Sequence, residues 1–136
     1  QIRYPDYYGI DMPRLEEFCV FRATIELIRE RGMNDLLQRV YEACKLELLK
    51  PKDMMRNCVR DIYKPFSTEE INQKVAEMLR PEGLKTPVEL VFQSIDGLHE
   101  AIPNHHGDWY FTGKYPTPGG TKLCNQAFVN YIDRQK

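Results

Sequence analysis

One hundred and thirty-six residues, 42% hydrophobic and 29% charged, fit one compact domain with an arm and exclude a disordered chain. Nineteen Lys plus Arg against twenty Asp plus Glu leave a net charge of -1, so a strongly electropositive nucleic-acid footprint is excluded. No apolar run approaches the roughly 20 residues of a membrane span, and no secretory leader is visible. Area scaling lets about two-thirds of the unfolded surface be buried, so a core is feasible without staples.

Residues 1–12 (QIRYPDYYGIDM) are aromatic and turn-rich and read as an extended arm. Pro13 suits the first position of a helix, where its missing N–H costs nothing. From there Leu15, Phe18, Cys19, Arg22, Ile25 and Ile28 fall near a 3.6-residue period until Gly32. A second helix is expected over about 34–49, with Leu36, Leu37, Val40, Tyr41, Cys44 and Leu48 on one side. Pro51 then opens a third, carrying Met54, Met55, Cys58, Val59 and Ile62 and closed by Pro65. Such Met and Cys stripes read as core filler.

The fourth helix has the clearest start. Ser67 and Glu70 form a capping box, Phe66 and Ile71 a hydrophobic staple, and Val75, Met78 and Leu79 continue the apolar face to Pro81. After Pro87 the period changes to two: Val88, Leu90 and Phe92 alternate with Glu89 and Gln93, and Val91 suggests cover on both faces. Ser94 caps a short helix with Ile95, Leu98 and Ile102, stopped by Pro103. A polar loop leads to a second short strand at Trp109, Tyr110 and Phe111. Gly119 and Gly120 then precede a last helix bearing Cys124, Ala127, Phe128 and Tyr131. The expected class is α+β, mostly α-helical. Three helices and a fourth lead to a small β-α-β unit of two parallel strands and a C-terminal helix.

Chemistry-bearing groups are sparse. His105, His106 and Asp108 share a loop and could ligate a metal, but adjacent histidines rarely aim both rings at one point, so an exposed or capping role is preferred. Gly119-Gly120-Thr121-Lys122 inverts the Lys-Ser/Thr order of a phosphate loop and reads as a turn with an N-cap. Glu16/Glu17 and Glu69/Glu70 lie in first turns, where they favour the helix dipole. The mildly basic stretch from Lys45 to Lys64 is interrupted by Glu47, Asp53 and Asp61 and reads as solvated helix faces. Cys19, Cys44, Cys58 and Cys124 form no C-x-x-C pair. The first three lie on apolar stripes, as reduced thiols of a cytoplasmic protein would. On its residues alone the chain does not read as a complete enzyme.

The opening RYPDYYGIDMP (Arg3 to Pro13) resembles a segment of glutamine phosphoribosylpyrophosphate amidotransferase, or amidophosphoribosyltransferase. Two further stretches resemble that family in the same order. They are STEEINQKVAEML…ELVFQSIDGLHEAI (Ser67 to Ile102) and FTGKYPT (Phe111 to Thr117), and with the first they cover about half the chain. The resemblance implies the C-terminal part of a larger, oligomeric glycosyltransferase with an α/β phosphoribosyltransferase fold. That enzyme takes the committed step of purine biosynthesis, replacing the pyrophosphate of phosphoribosyl pyrophosphate with ammonia from glutamine. Its partners would be the glutaminase and phosphoribosyltransferase domains of its own enzyme, with no nucleic acid and no membrane.

By this resemblance residues 1–12 continue the phosphoribosyltransferase domain, 13–66 are a helical insertion, and 67–136 form a hood-like segment. The insertion serves either as a packing bolster or as a surface for a partner. Tyr8, Gly9, Ile10 and Asp11 would lie nearest the phosphoribosyl chemistry. Gly9 would serve a tight turn, and Asp11 would cap the helix at Pro13 in preference to ligating substrate. The family's N-terminal cysteine nucleophile and its paired-acidic, Mg²⁺-associated loop have no counterpart here, so the chain alone is expected to be inert. Some members hold an iron–sulfur cluster through three cysteines. Asp6, Gly107 and Tyr110 stand at those positions, so no cluster is expected. An independent helical interaction module, or a degenerate non-catalytic paralogue, is the alternative reading.

Overall fold

The computed structural model describes residues 14–104, 106–108 and 118–136. Its first element is a single 3-10 turn, Leu15–Glu17, not the start of a long helix. Phe18 then takes an extended conformation (φ -93°, ψ 115°) before α1, Cys19–Glu30. That break lets Leu15 and Phe18 both enter the core, which one straight helix from Pro13 was expected to fill. Neither start has a side-chain cap among the described residues. Asp11, the expected cap, lies outside the described residues.

Helix α1 is buried on most of its circumference, with Val20, Phe21, Ala23, Thr24, Ile25, Leu27 and Ile28 all inside. Its end follows from Gly32, whose φ of 66° suits a residue without Cβ. Met33 N–H donates to the Ile28 carbonyl at 2.9 Å and Gly32 N–H to that of Arg29 at 3.1 Å, a Schellman closure. Helix α2, Asn34–Leu48, buries Leu36, Val40, Tyr41 and Cys44 along the anticipated stripe, and Leu37 and Leu48 pack against its margin.

The expected third helix does not form. Residues 51–65 instead make a 3-10 turn at Lys52–Met54, an irregular stretch, and another turn at Val59–Ile62. Side chains have claimed the peptide groups that an α-helix would have paired. Arg56 N–H donates to Glu47 Oε2 at 2.7 Å, Cys58 N–H to Asn125 Oδ1 at 3.1 Å, and Val59 N–H to Asn57 Oδ1 at 3.0 Å. Cys58, Val59 and Ile62 still reach the core, whereas Met54 is 71% exposed.

Helix α3, Thr68–Leu79, begins as its sequence dictates. Ser67 N–H donates to Glu70 Oε2 at 2.8 Å and Glu70 N–H to Ser67 Oγ at 3.2 Å, with Phe66 and Ile71 both buried beneath. Val75 continues the buried face, but Met78 and Leu79 fall beyond the core's edge and are exposed.

Val88–Gln93 is not a strand, and among the described residues there is no strand at all. The β-α-β unit is therefore corrected to an irregular segment followed by α4, Ile95–Ala101. The period-two pattern is real at the level of burial: Leu90 and Phe92 pack against the core and Val91 points away, 82% exposed rather than covered. Among the described residues no second strand is present to close a ladder with it. The proposed second strand, Trp109–Phe111, lies outside the described residues. Ser94 caps α4 as anticipated, accepting from Gly97 N–H at 2.9 Å, while Ile102 is exposed.

Helix α5 spans Pro118–Gln135, so Gly119 and Gly120 lie in its first turn and not in a preceding loop. Four of the helices among the described residues pack as two pairs, α1 against α3 and α2 against α5. Phe21 joins the pairs, meeting Phe128 edge-on at 6.2 Å and Tyr131 at 5.0 Å between ring centroids. Residues from both the 13–66 and 67–136 segments thus share one buried cluster.

Candidate functional site

The densest collection of reactive groups lies in the seam between α2, α5 and the 55–62 stretch. Asn125 is at its centre, fully buried among apolar neighbours. Its Oδ1 accepts from Cys58 N–H at 3.1 Å and from Cys44 Sγ at 3.6 Å, and its Nδ2 donates to the Arg56 carbonyl at 2.9 Å. One amide therefore clasps the two successive peptide units that flank Asn57. At the rim, Glu47 bonds Arg56 N–H through one oxygen and Lys50 Nζ, at 2.6 Å, through the other. Asp61 answers the Arg56 guanidinium at 3.1 Å and Lys64 Nζ at 2.6 Å.

Burial and nearby charges set the electrostatics of the seam. Burial pushes the Cys44 thiol far above its ordinary range, reinforced by Cys58 and Asp61 nearby. Burial also raises Cys58, against the opposing pull of Arg56, and raises Cys19. A thiol held protonated is a weak nucleophile and a weak metal ligand. Tyr63, fully enclosed, is driven up by desolvation, and its hydroxyl has no hydrogen-bond partner among the described residues. Glu47 is held below the usual carboxylate range, first by Arg56 N–H and then by Lys50. Among the described residues, no group of three or more His, Cys, Asp or Glu is arranged to hold a metal ion.

No family model, no curated protein and no solved structure matches the chain. The residues themselves must therefore carry the functional reading. Tyr8, Gly9, Ile10 and Asp11 lie outside the described residues, as does His105. His106 is exposed, and Asp108 Oδ1 meets His99 Nε2 at 2.8 Å, a pairing the loop's sequence did not suggest. Lys122 is exposed on the first turn of α5. Of the paired glutamates, Glu16 accepts from Arg134 at 2.7 Å, and Glu70 serves the capping box while pairing with Arg31.

Sequence reasoning missed Asn125 and Glu47. A polar residue beside the Cys124, Ala127, Phe128 stripe was the available signal for Asn125. For Glu47 there was none, because its partner is a backbone N–H nine residues away. No helix among the described residues is long and apolar enough to cross a membrane.

Proposed function

We propose that this chain is a C-terminal portion of an amidophosphoribosyltransferase and serves it as a non-catalytic cover for the active site. The observation that carries the reading is the ordered resemblance of Arg3–Pro13, Ser67–Ile102 and Phe111–Thr117 to that family. The chemistry of the helical core is compatible with such a role, because its thiols are held protonated and its carboxylates are committed to peptide groups and cations. A rigid cover excludes water from a reactive intermediate and holds active loops in place without supplying a reacting group.

In this reading the enzyme is a cytoplasmic homo-oligomer that forms phosphoribosylamine from phosphoribosyl pyrophosphate and glutamine. Tyr8, Gly9, Ile10 and Asp11 lie nearest the ribose phosphate, and Mg²⁺ is held by an acidic loop encoded ahead of them. No iron–sulfur cluster is bound, since Asp6, Gly107 and Tyr110 occupy the ligand positions. The coding sequence immediately upstream of Gln1 tests this directly. An acidic pair followed by a Thr/Ser/Gly loop is expected, and a stop codon or an unrelated sequence there overturns the reading. A second reading, an independent helical interaction module, draws on the continuous core that α1, α2, α3 and α5 build together.

A further inference from the structure

A groove of about 520 Å³ runs between α3 and the irregular segment after Pro87. Glu69, Asn72 and Glu77 form one wall, and Val88, Glu89 and Leu90 the other. We propose that this groove docks an extended segment of another polypeptide that carries an arginine or lysine side chain. The inference does not rest on the amidotransferase reading.

Backbone and charge point to that occupant independently. The peptide groups of residues 87–92 make no hydrogen bond within the described structure, although Leu90 in and Val91 out follow the alternation of a strand. A strand-patterned edge with free N–H and C=O groups is completed by a second extended chain. Glu69 and Glu89 have no ion-pair partner among the described residues, and Glu77 shares Lys74 with Glu30. Arg80 also borders the groove and donates to the Leu84 carbonyl at 2.8 Å, so the lining sets three carboxylates, Glu69, Glu77 and Glu89, against one cation. A guanidinium or ammonium group answers the carboxylates. A second copy is a poor occupant, because pairing this edge with itself would bring Glu89 against Glu69 and Glu89 of like charge.

The test titrates the isotope-labelled 136-residue chain with a blocked heptapeptide of alternating valine and arginine, followed by amide NMR shifts. Saturating shifts are expected at residues 88–92 and at the Asn72 side chain. The affinity should fall about fivefold or more in the E69Q/E89Q variant. E89K alone, placed outside any helix, provides the same comparison should the double variant fold poorly. A valine–glutamate peptide should produce no saturation. The proposal is overturned if no saturating shift appears, if the acidic peptide binds equally, or if neither variant weakens binding. Shifts at 88–92 on concentrating the chain alone would make a second copy the occupant and overturn it as well.

Discussion

Asn125 is the residue whose removal should be felt most sharply. Replacing it with Ala strands Cys58 N–H and the Arg56 carbonyl in an apolar seam, each a buried group that has lost its partner. Such orphaning costs about 1–3 kcal/mol per group, so Asn125→Ala should lower unfolding free energy by roughly 2–4 kcal/mol in urea titrations. A loss below about 0.5 kcal/mol would mean that the 55–58 stretch finds other partners. Glu47 makes a pH-dependent contribution. Its folded value lies below the ordinary 4.5, so its stabilisation is present at neutral pH and fades as pH falls through that folded value. Urea midpoints should therefore drop in acid, and Glu47→Gln should flatten the slope without abolishing it. Three other lowered carboxylates act with the same sign: Asp61, whose burial is outweighed by Lys64 and Arg56, Glu70, held low by Ser67 N–H and Arg31, and Asp133, held low by the Tyr41 hydroxyl and Lys136.

At the scale of elements, the start of α3 depends on a reciprocal pair of backbone bonds. Ser67→Ala removes one of them and should cost about 1 kcal/mol, read as a lower melting temperature with unchanged native circular dichroism. The same element explains what sequence could reveal. Ser67, Glu70, Phe66 and Ile71 lie within six residues, so their consequences are local and legible, as is the Gly32 closure of α1. The residues 51–65 look helical for equally local reasons, but Asn125, far along the chain, decides the outcome by hydrogen-bonding Cys58. The 88–93 alternation puts Leu90 and Phe92 against the core, but Val88 and Val91 are exposed and no strand forms. Whether such a segment becomes a strand depends on a neighbour, which a residue's own pattern does not encode. Among the candidate groups, Glu70 serves the anticipated capping box, whereas the Glu16–Arg134, Glu70–Arg31 and His99–Asp108 pairings join residues that sequence patterns do not connect.

At the scale of the molecule, Phe21 links the α1–α3 and α2–α5 pairs through its contacts with Phe128 and Tyr131. Phe21→Ala should cost about 3–5 kcal/mol and destabilise both pairs together. Hydrogen-exchange protection should then fall in α2 and α3 alike, and loss confined to one pair would show two separable cores. In the proposed reading, a helical body with one shared core suits a cover. The most direct measurement compares phosphoribosylamine formation from glutamine and phosphoribosyl pyrophosphate by two purified proteins. One is the 136-residue chain, and the other is the longer polypeptide read from its upstream coding sequence. The account predicts turnover by the longer protein and none by the shorter. Turnover by the 136-residue chain alone, or none by the longer protein, would contradict it.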